Sequence, residues 1–266
     1  MNGFYVINGK KLKQYLILFM AAVFTVGVIY AEGSNLSVFQ LHEEGPKAIY
    51  KVETERKILS LTFDISWGDT RAEPILDILQ QKGVKKATFF LSSPWSQAHP
   101  EIVKKIVDAG YEIGSHGHKH ENYSGLNDDE IRKQIRTAHS ILTQVTGTPP
   151  KLLRLPNGDF DQRVLRIAEE LGYKTIQWDT DSRDWRNPGV EAIVDRVVTN
   201  AHAGDIILLH ASDSAKQTHE ALPVIIDELK GKGYEFATVS ELISGADVSG
   251  DKAKQQLPPP PKKPAA

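Results

Sequence analysis

Between about Ile58 and Ser244 short apolar runs alternate with longer amphipathic stretches. β-Branched and aromatic residues dominate the runs Ile58–Phe63, Ala87–Leu91, Tyr111–Ser115, Leu152–Leu155, Lys174–Trp178, Asp205–Leu209 and Tyr234–Val239, each of strand length. The stretches between them repeat apolar residues at helical spacing. The clearest is Asp128–Val145, with Ile131, Ile135, Ala138, Leu142 and Val145 on one face. Gly83, Gly110, Gly147, Gly172, Gly204 and Gly233 stand just before the next strand, where helix-to-strand junctions favour glycine. Strand–helix alternation predicts a parallel sheet. Near-continuous apolar strands predict that it is buried on both faces.

An open doubly wound sheet and a (β/α) barrel both meet this pattern. The polar residues separate them. Asp64 follows the first run, His116 the third, Arg154 ends the fourth, Asp179–Trp185 follow the fifth and His210 ends the sixth. A barrel gathers such positions on one rim, whereas an open sheet spreads them along an edge. The expected fold is therefore α/β, a distorted (β/α) barrel of about seven parallel strands over residues 57–245.

The ends of the chain differ in kind. Lys10, Lys11 and Lys13 in the basic flank 1–13 precede an apolar run from Tyr15 to Ala31. The segment 14–32 therefore reads as a signal peptide or signal anchor, with the protein outside the cytoplasm. Ile29-Tyr30-Ala31 lacks a small-x-small cleavage site, which favours the anchor. Residues 33–56 read as a linker and lead-in. Residues 246–266, with their prolines and lysines, read as a disordered tail. A net charge of -2 gives no reason to expect nucleic acid. With no cysteine, disulfides, thiolate catalysis and Cys-type zinc sites are excluded. Gly-rich phosphate loops are absent as well. Nothing in the sequence indicates the oligomeric state.

Three constellations carry chemistry. In Ser115-His116-Gly117-His118-Lys119-His120, His116 and His120 are spaced so that two imidazoles can face one metal ion, although a solvated loop has the same composition. Asp64 ends an apolar strand, which is costly without a partner or a role. Arg154 can supply the partner, and a purely structural pair is the alternative. His210 ends another apolar strand. With a carboxylate from Asp179–Trp185 nearby, it suits a general acid.

These pieces in this order resemble the polysaccharide deacetylase family (NodB homology, carbohydrate esterase family four) from about Lys57 to Leu242. The resemblance implies metal-dependent removal of acetyl groups from N-acetylated glycans, with His116 and His120 holding a divalent metal, usually zinc. It implies Asp64 as general base, Arg154 orienting it, His210 as the acid and Asp184 tuning His210. Trp185, packed beneath the pocket, Asn157 and Trp67 are the expected substrate-binding residues. Phe4-Tyr5-Val6, the short anchor and Asp64-Ile65-Ser66-Trp67-Gly68 are similar to the PdaB-like sporulation branch, which implies spore peptidoglycan as substrate and the forespore or spore envelope as location.

Two positions depart from the family. A second Asp, which ligates the metal, usually follows the base, and Ile65 stands there instead. Asp69 could supply a carboxylate from the loop, or it could cap the helix beginning near Arg71. Asn157 stands where an aromatic residue is common. The expectation is an extracytoplasmic deacetylase with an altered metal site. The alternatives are a catalytically silent glycan-binding barrel and a hydrolase that uses Asp64 and His210 without metal.

Overall fold

The computed structural model describes residues 9–33 and 45–245. The expected tail over 246–266, the Phe4-Tyr5-Val6 stretch and residues 34–44 of the linker lie outside the described residues. Helix α1 (Gly9–Gly33) belongs to a unit of its own, and a second unit begins at Gly45. The side chains of α1 from Lys10 to Thr25 are exposed, three lysines of the basic flank among them. Among the described residues no helix is long and apolar enough to cross a membrane, so the anchor expected over 14–32 finds no support in this helix.

In the second unit the strands are β1 (Ile58–Ile65), β2 (Thr88–Leu91), β3 (Glu112–Ser115), β4 (Leu152–Leu153), β5 (Lys174–Thr175), β6 (Thr180–Asp181), β7 (Ile206–His210) and β8 (Glu235–Phe236). Seven of them run in the order β5-β4-β3-β2-β1-β7-β6, all parallel, and β8 pairs with Ile58 and Leu59 at the start of β1. β5 and β6 do not pair with each other, so the expected barrel is a half-barrel. The helices α2 (Ala72–Gln81), α3 (Ser93–Ala98), α4 (Pro100–Asp108), α5 (Asp128–Thr146), α6 (Gln162–Glu170), α7 (Val190–Asn200), α8 (Thr218–Gly231) and α9 (Val239–Gly245) complete the unit.

Local sequence accounts for these elements. Helix α5 starts on a capping box in which the Asn127 side chain accepts from the Glu130 amide and Glu130 accepts from the Asn127 amide. It stops at Gly147, whose φ of 74° is left-handed. On β1 the odd positions Leu59, Leu61, Phe63 and Ile65 join the larger apolar cluster, together with Ile75, Leu79, Ile106, Val197 and Ile226 of the helices. A fully buried side chain of this kind is worth about 1.5–3 kcal/mol. This layer, rather than the two-residue strands at the margins, therefore holds the sheet.

The lead-in differs from expectation. Read as linker to residue 56, it is part of the domain from Ala48 to Val52. The Ile49 amide donates to the Thr175 carbonyl (2.9 Å) and the Gln177 amide donates to the Ile49 carbonyl (2.7 Å). The Val52 amide donates to the Gly204 carbonyl (2.8 Å). A Cβ on Gly204 would lie 1.7 Å from the Val52 carbonyl oxygen, so only glycine seats the segment there. Val52 and Ile49 join the inner apolar cluster of Phe90, Leu152, Ile176 and Ile206. The lead-in thus runs between β5 and the start of β7, the gap that keeps the barrel from closing.

Candidate active site

Side chains alternate along a strand, so the even positions of β1 turn away from the helix layer. Thr62 and Asp64 occupy them, and Asp64 stands in register with His210 on β7. Arg154, just past β4, is fully buried. Its Nη1 donates to Asp64 Oδ1 and to Thr62 Oγ1, both at 2.8 Å, and its Nη2 donates to the Gln177 carbonyl at 3.0 Å. The guanidinium lies 4.1 Å over the Phe90 ring. Burial alone pushes the Asp64 pKa up. The Arg154 charge and hydrogen bond, with His210 beside them, more than reverse this and hold it below the ordinary carboxylate range. Asp64 is therefore ionised.

His116 is buried beside this pair. Its Nδ1 lies 2.8 Å from the Arg154 carbonyl oxygen. A carbonyl can only accept, so Nδ1 carries the proton and Nε2 keeps its lone pair, 3.8 Å from Asp64 Oδ2. Burial pushes the His116 pKa down to about 4, against the pull of Asp64, which keeps the ring neutral. His120 stands at the exposed rim, its ring centroid 5.4 Å from that of His116 and 5.0 Å from that of Trp67. The two histidines are neighbours, as their spacing suggests.

A third ligand is what they lack. Ile65 is fully buried in the helix-side apolar layer and offers no donor atom. Among the described residues no group of three or more His, Cys, Asp or Glu is placed to hold a metal ion, whereas zinc sites take three protein ligands or more. Asp69 does not fill the place. It is exposed in the turn before α2, where its carboxylate meets the Thr70 hydroxyl at 3.4 Å. Nor does it cap α2. Asp213, from the loop after β7, accepts from the amides of Thr70 and Arg71 at 3.0 Å each. The approach is tight, since a Cβ on Gly68 would lie 2.1 Å from the Asp213 carboxyl carbon.

The second charged pair is more completely held. Asp184, fully buried in a 3₁₀ turn (Asp184–Arg186), accepts from the His210 amide, from His210 Nδ1 and from the Thr218 hydroxyl, each at 2.7 Å. Burial opposes a charge on His210, but the Asp184 carboxylate outweighs it, and the His210 pKa is raised. Nδ1 is engaged, which leaves Nε2 as the nitrogen for a substrate. Trp67 and Trp185 are about half exposed, at 46% and 45%, so Trp185 is not packed beneath the pocket as expected. Arg186 lies 4.6 Å over the Trp185 ring. Asn157 is exposed with a left-handed φ of 58°, and its side-chain amide donates to Asn122.

Thr62, Gln177, Thr218 and Asp213 are supporting residues that the sequence reading missed. Each acts through a hydroxyl, a peptide group or a carboxylate reaching another part of the chain. A polar residue at the inner positions of an apolar strand, as Thr62 is, was the one available signal.

The chain matches the profile of the family described as Polysaccharide deacetylase over residues 51–176. It is 39% identical over 197 residues to a peptidoglycan-N-acetylglucosamine deacetylase of Bacillus cereus, covering 73% of this chain and 92% of that protein. It is 35% identical to the uncharacterized protein YlxY of Bacillus subtilis, covering 74% of this chain and 61% of the relative, so that relative is substantially longer than the match. Among solved structures, a family-four carbohydrate esterase pseudoenzyme of Bacillus anthracis superposes with a TM-score of 0.70 at 35% identity, covering 74% of this chain and 69% of that one. A mutant of that pseudoenzyme, described as having restored enzymatic activity, superposes equally well, with a TM-score of 0.70 at 36% identity over 74% of this chain and 71% of that one. Sequence match and half-barrel agree, and the chain belongs to the polysaccharide deacetylase family, carbohydrate esterase family four.

Proposed function

We propose that this chain hydrolyses N-acetyl groups on a glycan, with peptidoglycan as the substrate class, as the names of its relatives suggest. The observation that carries the reading is two oriented charged pairs, Asp64–Arg154 and His210–Asp184, on adjacent strands in register. Asp64 accepts the proton of the water that attacks the acetyl carbonyl. As the carbon–nitrogen bond breaks, His210 gives a proton to the departing amine, and acetate and a free amino sugar result. The family expectation of a divalent metal, zinc above all, meets two histidines and no third ligand. That donor set does not fit a three-ligand site, and no step is assigned to a metal.

Location belongs to the same proposal. Support comes from the basic flank and apolar run before residue 32, which read as an export signal, and from the sporulation-type sequence Asp64–Gly68. We place the protein outside the cytoplasm, on the spore envelope of a spore-forming bacterium.

Acetate release from peptidoglycan and from N-acetylglucosamine oligomers tests the reading, with chelator, with added zinc and with other divalent metals. Turnover that disappears in Asp64→Asn supports it. No turnover under any of these conditions overturns it in favour of a second reading, a silent glycan-binding barrel. Ile65 favours that second reading, and so does the likeness to a pseudoenzyme.

A further inference from the structure

Gln177 hydrogen-bonds to the lead-in on one side and to Arg154 on the other. On one side its amide donates to the Ile49 carbonyl in the lead-in (2.7 Å). On the other its carbonyl accepts from Arg154 Nη2 (3.0 Å), and the same guanidinium holds Asp64. Its side chain donates to the Gly158 carbonyl (3.2 Å) in the loop that follows Arg154. Regular pairing of β5 with β4 covers only Lys174 and Thr175, so beyond it the course of the chain is set by the Ile176 amide on Leu153 and by the Ile49 contacts. Without the lead-in, β5 would be an edge strand, with the Thr175 carbonyl and the Gln177 amide unpaired.

We propose that the lead-in Ala48–Val52 is a working part of the site: by pairing with Thr175 and Gln177 it fixes the carbonyl that orients Arg154, and through Arg154 it positions Asp64. Calling Asp64 the base rests on the hydrolytic reading above, while the coupling itself does not. Gln177 is a positioning residue here, and the lead-in is the element that positions it. Three further contacts hold the segment. Lys51 pairs with Asp179 (3.0 Å), Val52 packs into the inner apolar cluster, and the Gly204 turn leaves room for the Val52 carbonyl. Ala48–Val52, near the start of the domain, therefore braces the arginine that orients Asp64.

A double-mutant cycle on the full chain tests this by equilibrium unfolding in urea, with Ile49→Pro, Asp64→Asn and the pair. Proline removes the amide that donates to Thr175. If the lead-in secures Arg154 against Asp64, Ile49→Pro changes the unfolding constant less in the Asp64→Asn background than in wild type, by about threefold or more. Ile49→Val, which keeps the backbone bonds, changes the unfolding constant equally in both backgrounds. Equal effects in both backgrounds, within about twofold, overturn the proposal, because independent sites combine that way. Should Ile49→Pro not fold, Gly204→Ala replaces it, since the new Cβ displaces Val52 without touching β5. Hydrogen exchange on the unaltered chain gives a second reading. The Ile49 and Val52 amides exchange as slowly as that of Gln177, and exchange at the rate of a free loop overturns the coupling. Where the chain turns over substrate, Ile49→Pro lowers kcat with KM little changed. A chain without turnover leaves the cycle readable, so the two readings fail separately.

Discussion

Ile65→Asp would put a carboxylate into the layer where Phe63, Ile75 and Leu91 pack, because alternation along β1 sends position 65 to the side away from Asp64. We expect it to cost about 3 kcal/mol or more in urea unfolding with chelator present, the range for an unpaired buried charge. Unchanged stability would mean that position 65 opens onto the pocket. Asp184→Asn acts on the acid. The raised pKa of His210 depends on the Asp184 carboxylate, so the NMR titration midpoint of His210 should fall in the variant; an unmoved midpoint would assign the charge elsewhere. In the native chain this raised pKa contributes stability below the ordinary histidine pKa, and the contribution is lost as pH rises through the folded value. The six chemically active side chains were legible because each ends an apolar run or sits in a dense polar one. Thr218 and Gln177 were not, since a hydroxyl or a peptide carbonyl acting across the fold leaves no local pattern.

Helix α2 shows why loops are harder to read than strands. A sequence reading looks for the cap among the residues just before the helix and finds Asp69. No side chain caps α2; the carboxylate that holds the turn into it is Asp213, from the loop after the neighbouring strand β7. We expect Asp213→Ala to lower stability by about 1–2 kcal/mol, since two amides lose their acceptor, and Asp69→Ala to stay within about 0.5 kcal/mol. Reversed magnitudes in urea unfolding would restore Asp69 to the capping role. The same logic explains β6 and the lead-in. β6 is two residues, Thr180 and Asp181, inside an acid-rich run, and the lead-in, though four of the five residues Ala48–Val52 are apolar, pairs only through isolated bridges at Ile49 and Lys51. β6 is made by its partner rather than by its own propensity, and the lead-in is too short to be read as a strand without its partners.

At the scale of the domain, the end opposite the pocket carries its own electrostatics. Asp205, fully buried at the start of β7, accepts from the amide and hydroxyl of Thr180, yet burial pushes its pKa up to about 6. The native state then holds this proton where the unfolded chain has lost it. Stability from this group falls as pH rises from about 4 to about 6 and is level above that. Wild type minus Asp205→Asn should therefore shrink across that window by roughly 1.4 kcal/mol per pH unit of displacement. A flat difference would mean that Asp205 is already ionised in the fold. The pairing of β1 has one more effect, on the order in which the molecule can be assembled. β1 leaves the ribosome before the other strands, but its partners include β7, and its first two residues wait for Glu235 and Phe236. A growing chain therefore carries the Asp64 strand with an open edge through nearly all of its synthesis. The site is complete only once β7, with His210, and Thr218 have been made. Such long-range closure makes for slow folding, and the strand that carries Asp64 keeps an edge open to other chains until its neighbours are made.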